Sequence, residues 1–416
     1  MNAYIIAGEP SGDRLGGALM RSLSQRADVR FQGVGGEEMI AAGLESLFGM
    51  SDLTVMGLGE VLPRLPLILR RMRETVADIE QARPDVLITI DAPDFSLRVA
   101  ARARKARPDL KVIHYVAPSV WAWRPGRAAK MARHVDHVLA LLPFEPPYMR
   151  AAGMSCDFVG HPVAGAPQPS AEEISAFRAE YGITPEQKVL LLAPGSRRGE
   201  VRRLRDDFVQ AVARLRQTIP DLAVLCPVAE TVRAEVAEML AEIGERCFPV
   251  HGAAAASQGA FDSKTLAFAS ADAALCASGT ITLELAATDT PMAAAYRTTW
   301  LTSQIVRRVI RVNTANLVNL ISGKSVVPEF LQEFSTPAAL EQAVLPLLLD
   351  PDAAGLQRSA FDHVMDAMGR GGPPPADRAA DSVLSVLSGA ITKPDAQERA
   401  TAALTPGPGE RHHGRR

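Results

Sequence analysis

Asp91 and Asp94 stand three residues apart in Ile90-Asp91-Ala92-Pro93-Asp94-Phe95-Ser96, directly after an apolar run at 86–90. A carboxylate at the carboxyl end of a strand can take the proton of an attacking hydroxyl. Open α/β sheets bind their ligands at that edge. Asp91 is therefore the candidate general base. Asp94 reads as the cap of a helix beginning near Ser96, a position aspartate suits. The pair could instead hold a divalent cation, but two carboxylates with no third ligand close by make a poor oxygen cage.

Three further segments have the composition of anion sites. Tyr4-Ile5-Ile6-Ala7 runs into Gly8-Glu9-Pro10-Ser11-Gly12-Asp13, and Val189 to Ala193 runs into Pro194-Gly195-Ser196-Arg197-Arg198-Gly199-Glu200. A strand, a loop of small residues and a helix N-terminus together present backbone N–H groups to an anion. In the first loop Glu9, Ser11 and Asp13 add polar side chains. It has neither the G-x-G-x-x-G spacing nor a P-loop lysine, so a plain tight turn competes. In the second, Arg197 can reach a phosphate. The third is Ala277-Ser278-Gly279-Thr280-Ile281-Thr282-Leu283-Glu284, where Ser278, Gly279 and Thr280 would admit a diphosphate. Glu284 either binds ribose hydroxyls or is a surface or capping glutamate. Asn313, Asn316 and Asn319, three apart, share a helix face and could bind sugar or base, or simply end helices. Ser322-Gly323-Lys324-Ser325 is no P-loop, because Val318 stands where its first glycine belongs.

Two segments mix apolar and basic residues. His114 to Arg124 holds Trp121 and Trp123 beside Arg124, Arg127, Lys130 and Arg133. Such a group could receive a phosphorylated sugar, or be a core-edge tryptophan next to a solvated helix. Gly57 to Glu74 interleaves Leu58, Val61, Leu62, Leu65, Leu67, Ile68 and Leu69 with Arg64, Arg70, Arg71 and Arg73. An amphipathic core helix and a segment lying on an anionic bilayer or acyl chains explain it equally well.

The elements that must position these residues are short Val/Ile/Leu-rich runs at 3–7, 86–90, 112–117 and 138–142, then near 189–193, 223–228, 273–276 and 292–296. Runs of this kind suit strands covered on both faces. Helical stretches between them imply right-handed crossovers and parallel sheets. A chain of 416 residues with 47% apolar content supports two cores, in domains of roughly 150–200 residues each. A join falls in the Pro/Gly-rich segment 160–169. A net charge of −2 argues against bulk nucleic-acid binding. The four scattered cysteines, Cys156, Cys226, Cys247 and Cys276, read as buried thiols of a cytoplasmic protein. The opening residues lack a signal-peptide pattern, and no apolar stretch reaches about 18 residues, so a soluble intracellular protein is expected.

The assembled motifs resemble those of the lipid-A-disaccharide synthases. The matching segments are AGEPSGD (7–13), VMGLGEVL (55–62), IDAPDF (90–95), HYVAPSVWAWR (114–124), LLPFE (141–145), FVGHP (158–162), APGSRRGEV (193–201), ASGTITLE (277–284), NLVNLISGK (316–324) and VPEFLQE (327–333). They run in family order nearly to residue 390. The resemblance implies a GT-B fold: two Rossmann-like α/β domains with parallel sheets facing a central cleft, and C-terminal helices crossing back to the first domain. The expected divisions are 1–165 (acceptor and lipid), 166–350 (UDP-sugar), 351–389 (helices packing back) and a disordered tail, 390–416. The implied reaction joins UDP-2,3-diacylglucosamine to 2,3-diacylglucosamine 1-phosphate (lipid X), giving a β-1′,6-linked disaccharide and UDP with inversion. The family's base falls on Asp91. Its donor site falls on Arg197, Ser278, Gly279, Thr280, Glu284 and Asn319, with Glu9 and Ser11 on the opposite wall. The resemblance also favours lipid or membrane contact by Val61, Leu62, Arg64, Leu65, Ile68, Arg70 and Arg71. It implies a peripheral place on the cytoplasmic face of the inner membrane, with no metal, no cofactor and no nucleic-acid partner. Val318 replaces an expected proline. Another UDP-sugar transferase, a UDP-sugar epimerase or a non-catalytic nucleotide-sugar binder are the alternative readings.

Overall fold

The protein is described from a computed structural model covering residues 1–53, 58–122, 126–252, 261–299 and 312–404, with the backbone alone for 58–62. Gly57, Trp123, Arg124, the loop 253–260, the side chains of Val61 and Leu62, and everything past 404 lie outside the described residues.

The chain forms two compact units: one holds Met1–Gly165 and the stretch from Gly371, the other Ala166–Arg370. The first unit carries strands β1 (Asn2–Ala7), β2 (Arg30–Val34), β3 (Glu45–Ser46), β4 (Val86–Ile90), β5 (Lys111–Tyr115), β6 (His137–Ala140) and β7 (Ser155–Phe158). All pair parallel, in the order β3-β2-β1-β4-β5-β6-β7. Alternation in β1 shows why: Tyr4 and Ile6 join a core with Met72, Ile79 and Val99, while Ala3, Ile5 and Ala7 join one with Leu19, Leu23 and Val383. Both sheet faces are covered, as a parallel sheet requires.

The second unit repeats the plan with β8 (Val189–Ala193), β9 (Ala223–Val228), β10 (Cys247–His251), β11 (Ala273–Ala277), β12 (Met292–Tyr296) and β13 (Glu329–Leu331). These are parallel in the order β10-β9-β8-β11-β12-β13. In each sheet the strand order reverses beside its first strand, between β1 and β4 and between β8 and β11. Those are the positions where doubly wound folds bind ligands.

Two expectations about the C-terminal part need correction. The helix Pro351–Ala367 does not cross back to the first unit. It packs on Pro337–Leu349, Leu317–Ser322 and Ile281–Ala287, and Gln357 bonds both backbone groups of Met292, at 2.8 and 3.1 Å. The return begins only after Gly371, whose φ of +77° turns the chain into Pro374 and Pro375. The helix Pro375–Leu387 then packs on Pro10–Ser24, joined by Ser22–Asp377 at 2.6 Å and Arg26–Asp381 at 2.7 Å. The stretch after 390 is also ordered as far as 404. A capping box between Asp395 and Glu398 starts a helix, Ala396–Ala403, that docks on Pro146–Ala151.

Candidate active site

At the end of β4 the chain turns through two consecutive left-handed residues, Asp91 (φ +47°) and Ala92 (φ +41°), before the helix Pro93–Ala106 begins. Positive φ is uncommon for residues other than glycine, and aspartate tolerates it better than most. The Asp91 amide donates to Tyr115 O at 3.0 Å, which fixes the turn to β5. Burial pushes the Asp91 carboxyl above the ordinary aspartate range, and the Ala92 N–H offsets part of the rise. The result is a stronger base than a solvated aspartate.

The loop after β1 lies against this turn. Glu9 is the N-cap residue of the helix Pro10–Ser24, and both Glu9 and Ser11 are exposed at its start. Asp13 has a structural task instead: its buried carboxylate accepts from the amides of Gly36 (2.7 Å), Glu38 (3.0 Å) and Met39 (3.2 Å). Asp94 is not the expected cap. Its helix starts at Pro93 with Ala92 in the cap position, and the Asp94 side chain is 95% exposed, 3.9 Å from Arg127.

Behind the turn stand buried polar groups. His114 on β5 shares a 2.8 Å hydrogen bond with Thr89, and burial, helped by the charge of Arg127, lowers it to about 4, so it is neutral at pH 7. Trp121 donates its indole N–H to Glu145 at 3.4 Å, and the Leu142 amide donates to the same carboxyl at 3.0 Å. Burial pushes Glu145 up to about 8.

The basic segment divides. Ile68 packs on the core, with Met72 and Ile79 fully buried. Arg71 is held by Asp52 and Glu74, each at 2.7 Å, and lies 4.6 Å over the Phe48 ring. Arg70 pairs with Glu74 at 2.7 Å. The lipid-contact expectation is therefore corrected for Ile68 and Arg71, whose side chains belong to the fold. Pro63, Arg64, Leu65 and Pro66 are all exposed.

In the second unit a cavity of about 600 Å³ opens at the β8/β11 reversal. It gathers Arg197, Ser278, Gly279, Thr280 and Glu284, all expected from sequence, with Glu200, Glu230 and Lys264, which were not. Gly195 has φ +112°, and a Cβ there would meet Glu200 Oε2 at 2.7 Å, so the loop requires glycine. Arg197 caps the helix Arg198–Thr218 with its side chain 76% exposed and 3.4 Å from Glu200. A Cβ on Gly279 would meet no protein atom within 4 Å; the space it leaves belongs to the cavity. The Ser278 hydroxyl is turned away, donating to Glu329 at 2.8 Å. Glu284 meets the Lys264 ammonium at 2.5 Å.

Asn319 departs from expectation. It is 5% exposed and does not line the cavity. Its Oδ1 accepts from the amides of Val326 (2.9 Å) and Val327 (2.8 Å), and its Nδ2 donates to Val327 O at 2.9 Å. The amide braces the 322–328 turn, leaving little for a ligand. Among the described residues no group of three or more His, Cys, Asp or Glu side chains is placed to hold a metal, and no helix is long and apolar enough to cross a membrane.

A protein-family model described as lipid-A-disaccharide synthetase matches residues 3–371. The chain belongs to the lipid-A-disaccharide synthase family. This synthase is 51% identical over 390 residues to the lipid-A-disaccharide synthase of Ruegeria pomeroyi, with 94% of this chain and 96% of that one covered. Solved structures show the fold at far lower identity. MnaA of S. aureus, in a co-structure with UDP, superposes with a TM-score of 0.61 at 14% identity, over 95% of this chain and 98% of that one. The calicheamicin glycosyltransferase CalG4 gives 0.53 at 16%, over 93% and 98%. The synthase is thus a UDP-sugar-dependent glycosyltransferase of lipid A biosynthesis, with two Rossmann-like domains of the GT-B kind. Sequence reasoning missed Lys264, a lone lysine at a helix start, and gave no role to Glu145, which closes the LLPFE segment. Only tertiary placement gives either a role.

Proposed function

We propose that this synthase transfers the sugar of UDP-2,3-diacylglucosamine to the 6-hydroxyl of 2,3-diacylglucosamine 1-phosphate, with Asp91 as general base. The observation that carries the role is the Asp91 turn: a half-buried carboxylate of raised basicity at the β1/β4 reversal. Asp91 takes the 6-hydroxyl proton as that oxygen attacks the anomeric carbon. The bond from that carbon to the diphosphate breaks, and UDP leaves with the electron pair. A single displacement inverts the anomeric centre and needs no covalent intermediate. Glu9 and Ser11, exposed beside Asp91, serve the sugar hydroxyls.

The leaving diphosphate belongs to the second unit's cavity. Arg197 and the first amides of the 21-residue helix Arg198–Thr218 supply positive charge where the departing oxygen gains negative charge. Thr280 opens a helix of seven residues, too short for a strong dipole, so Ser278, Gly279 and Thr280 contribute mainly backbone donors and space. Glu284 serves the ribose hydroxyls.

The exposed Pro63–Pro66 stretch of the helix Leu58–Ala82, with Arg64 and Leu65 at its centre, fits shallow contact with an anionic lipid surface, and Arg70 and the neighbouring segment 58–62 flank it. Co-sedimentation with vesicles tests this: Leu65→Asp and Arg64→Glu should lower binding to phosphatidylglycerol vesicles, and unchanged binding would remove this stretch from the contact.

The reaction is tested by incubating the purified protein with both lipid substrates in EDTA, following disaccharide and UDP by mass spectrometry. Disaccharide formed by the native chain and lost in Asp91→Asn supports the assignment. Turnover by that variant near the native rate would eliminate Asp91 as base, and UDP release without disaccharide would eliminate this acceptor.

A further inference from the structure

Each carboxylate lining the second unit's cavity, among the described residues, already faces a cation. Glu200 meets Arg197 at 3.4 Å, Glu230 meets Arg233 at 2.9 Å and Glu284 meets Lys264 at 2.5 Å. The third pair differs from the others in one respect. Glu284 Oε2, the atom on the lysine, is closed to solvent although the side chain as a whole is 37% exposed, so the ammonium faces the oxygen that water does not reach. Lys264 itself lines the cavity, with its side chain 42% exposed.

The lysine is held from two sides. It belongs to the helix Ser263–Ala269, which Asp262 caps by accepting from the Thr265 amide at 2.7 Å. Its ammonium lies 5.3 Å from the Phe268 ring centroid, a cation–π distance. An ammonium has three donors. The contact with Glu284 is an ion pair, since Glu284 Oε2 has no hydrogen-bond partner, so the ammonium donors are available to whatever fills the cavity.

Resting on the reading that UDP occupies this cavity, we propose that Lys264 is a second phosphate-binding cation of the donor site, bridging Glu284 and the diphosphate. A nucleoside diphosphate brings two or more negative charges to a cavity lined by three carboxylates and two cations. Arg197 reaches it from the β8 end of the cavity. The adjoining helix Ile281–Ala287 is short, and its first turn carries the Glu284 charge. Without Lys264 the phosphates would sit beside an unpaired carboxylate with one oxygen closed to solvent, which is repulsive. With Lys264 the same carboxylate holds the cation in place for the ligand.

The test compares the full chain with Lys264→Met, Lys264→Arg, Glu284→Gln and the double variant Lys264→Met/Glu284→Gln, all checked by thermal melting. UDP is titrated by calorimetry and uridine by ligand-observed NMR. Lys264→Met is expected to weaken UDP roughly 10- to 100-fold, the scale of a lost charge-assisted hydrogen bond, and to change uridine by less than about threefold. Lys264→Arg, which keeps the charge, should retain most of the affinity. The double variant should bind UDP more weakly than Glu284→Gln alone. Equal UDP affinity in the double variant and in Glu284→Gln alone would show that the lysine merely neutralises Glu284, and would overturn the proposal. Equal losses for UDP and uridine, or no loss for UDP, would overturn it too. Failure of the native chain to bind UDP would instead remove the donor-site reading on which the role depends.

Discussion

Gly8 and Ala92 close on one another so tightly that a Cβ on Gly8 would stand 2.9 Å from that of Ala92. The first residue follows β1 and the second follows β4, so this contact sets how the Glu9–Ser11 loop lies against the Asp91 turn. Real Cβ atoms do not approach that closely, so Gly8→Ala must push one loop away from the other. The expected cost is about 1–3 kcal/mol of stability, as for other overpacked sites. Turnover should fall further than the stability change explains, because Asp91 moves, while UDP affinity should hold. Urea unfolding together with kcat and UDP titration decides; native kcat in the variant would show that the contact does not position the base.

Asp91 links activity to pH and to stability. A base must be ionised, and burial raises this carboxyl, so activity should rise with pH and its acid limb should lie above the ordinary aspartate value near 4. Asp91→Asn keeps a side chain that tolerates positive φ and should cost roughly 10²–10⁴-fold in kcat. In stability the sign is opposite. A carboxyl whose folded value is raised stabilises the fold only while protonated, and loses that contribution as pH climbs through the folded value. Asp91→Asn should therefore gain on the native chain as pH rises from the acid range to 7. A pH–rate profile without a shifted acid limb would count against this.

Glu145 gives a sharper version of the same linkage, because it is closed in. The folded chain keeps a proton on Glu145 up to about 8, while the unfolded chain releases it near pH 4. Between those values the folded state binds more protons, so native stability falls as pH rises and the slope ends past 8. Glu145→Gln removes this dependence. The amide has one acceptor where the carboxyl has two, serving Leu142 and Trp121, so some stability, about 1 kcal/mol, is lost at low pH. The gap should close or reverse toward pH 8. Parallel curves for both chains from pH 5 to 9 would mean that Glu145 does not hold its proton.

How much of this was legible in the sequence depends on where each residue lies. Strands β1, β4, β8 and β11 were plain because they are covered on both faces and read as unbroken apolar runs. The edge strands β3, β7, β10 and β13, and β2 beside β3, were not. β2 carries Arg30 and Gln32, and β10 carries Pro249 and is half exposed. The helix Ala396–Ala403 escaped notice because its signal is a capping box in a polar segment rather than an apolar stripe. Candidate site residues on strand ends were readable, since a glycine or small residue after an apolar run betrays the turn. Asn319 was misassigned because its backbone partners lie seven and eight residues along the chain, where spacing within a helix says nothing.

Asn319 offers a decisive contrast between bracing and binding. If its amide serves the 326–327 backbone, Asn319→Ala takes this partner from the buried Val327 N–H and carbonyl, while the Val326 N–H keeps Lys324 O at 3.0 Å. That should cost about 1–3 kcal/mol of unfolding free energy. UDP affinity should change by less than about threefold wherever the variant remains folded, since the side chain does not line the cavity. Arg197→Ala should behave the other way. Its side chain is 76% exposed, so stability should stay within about 0.5 kcal/mol, while UDP affinity falls roughly tenfold or more. Urea unfolding and calorimetric titration of the two variants side by side separate the roles. A stable Asn319→Ala that loses UDP would return that asparagine to the donor site and show that the turn it braces needs no such support.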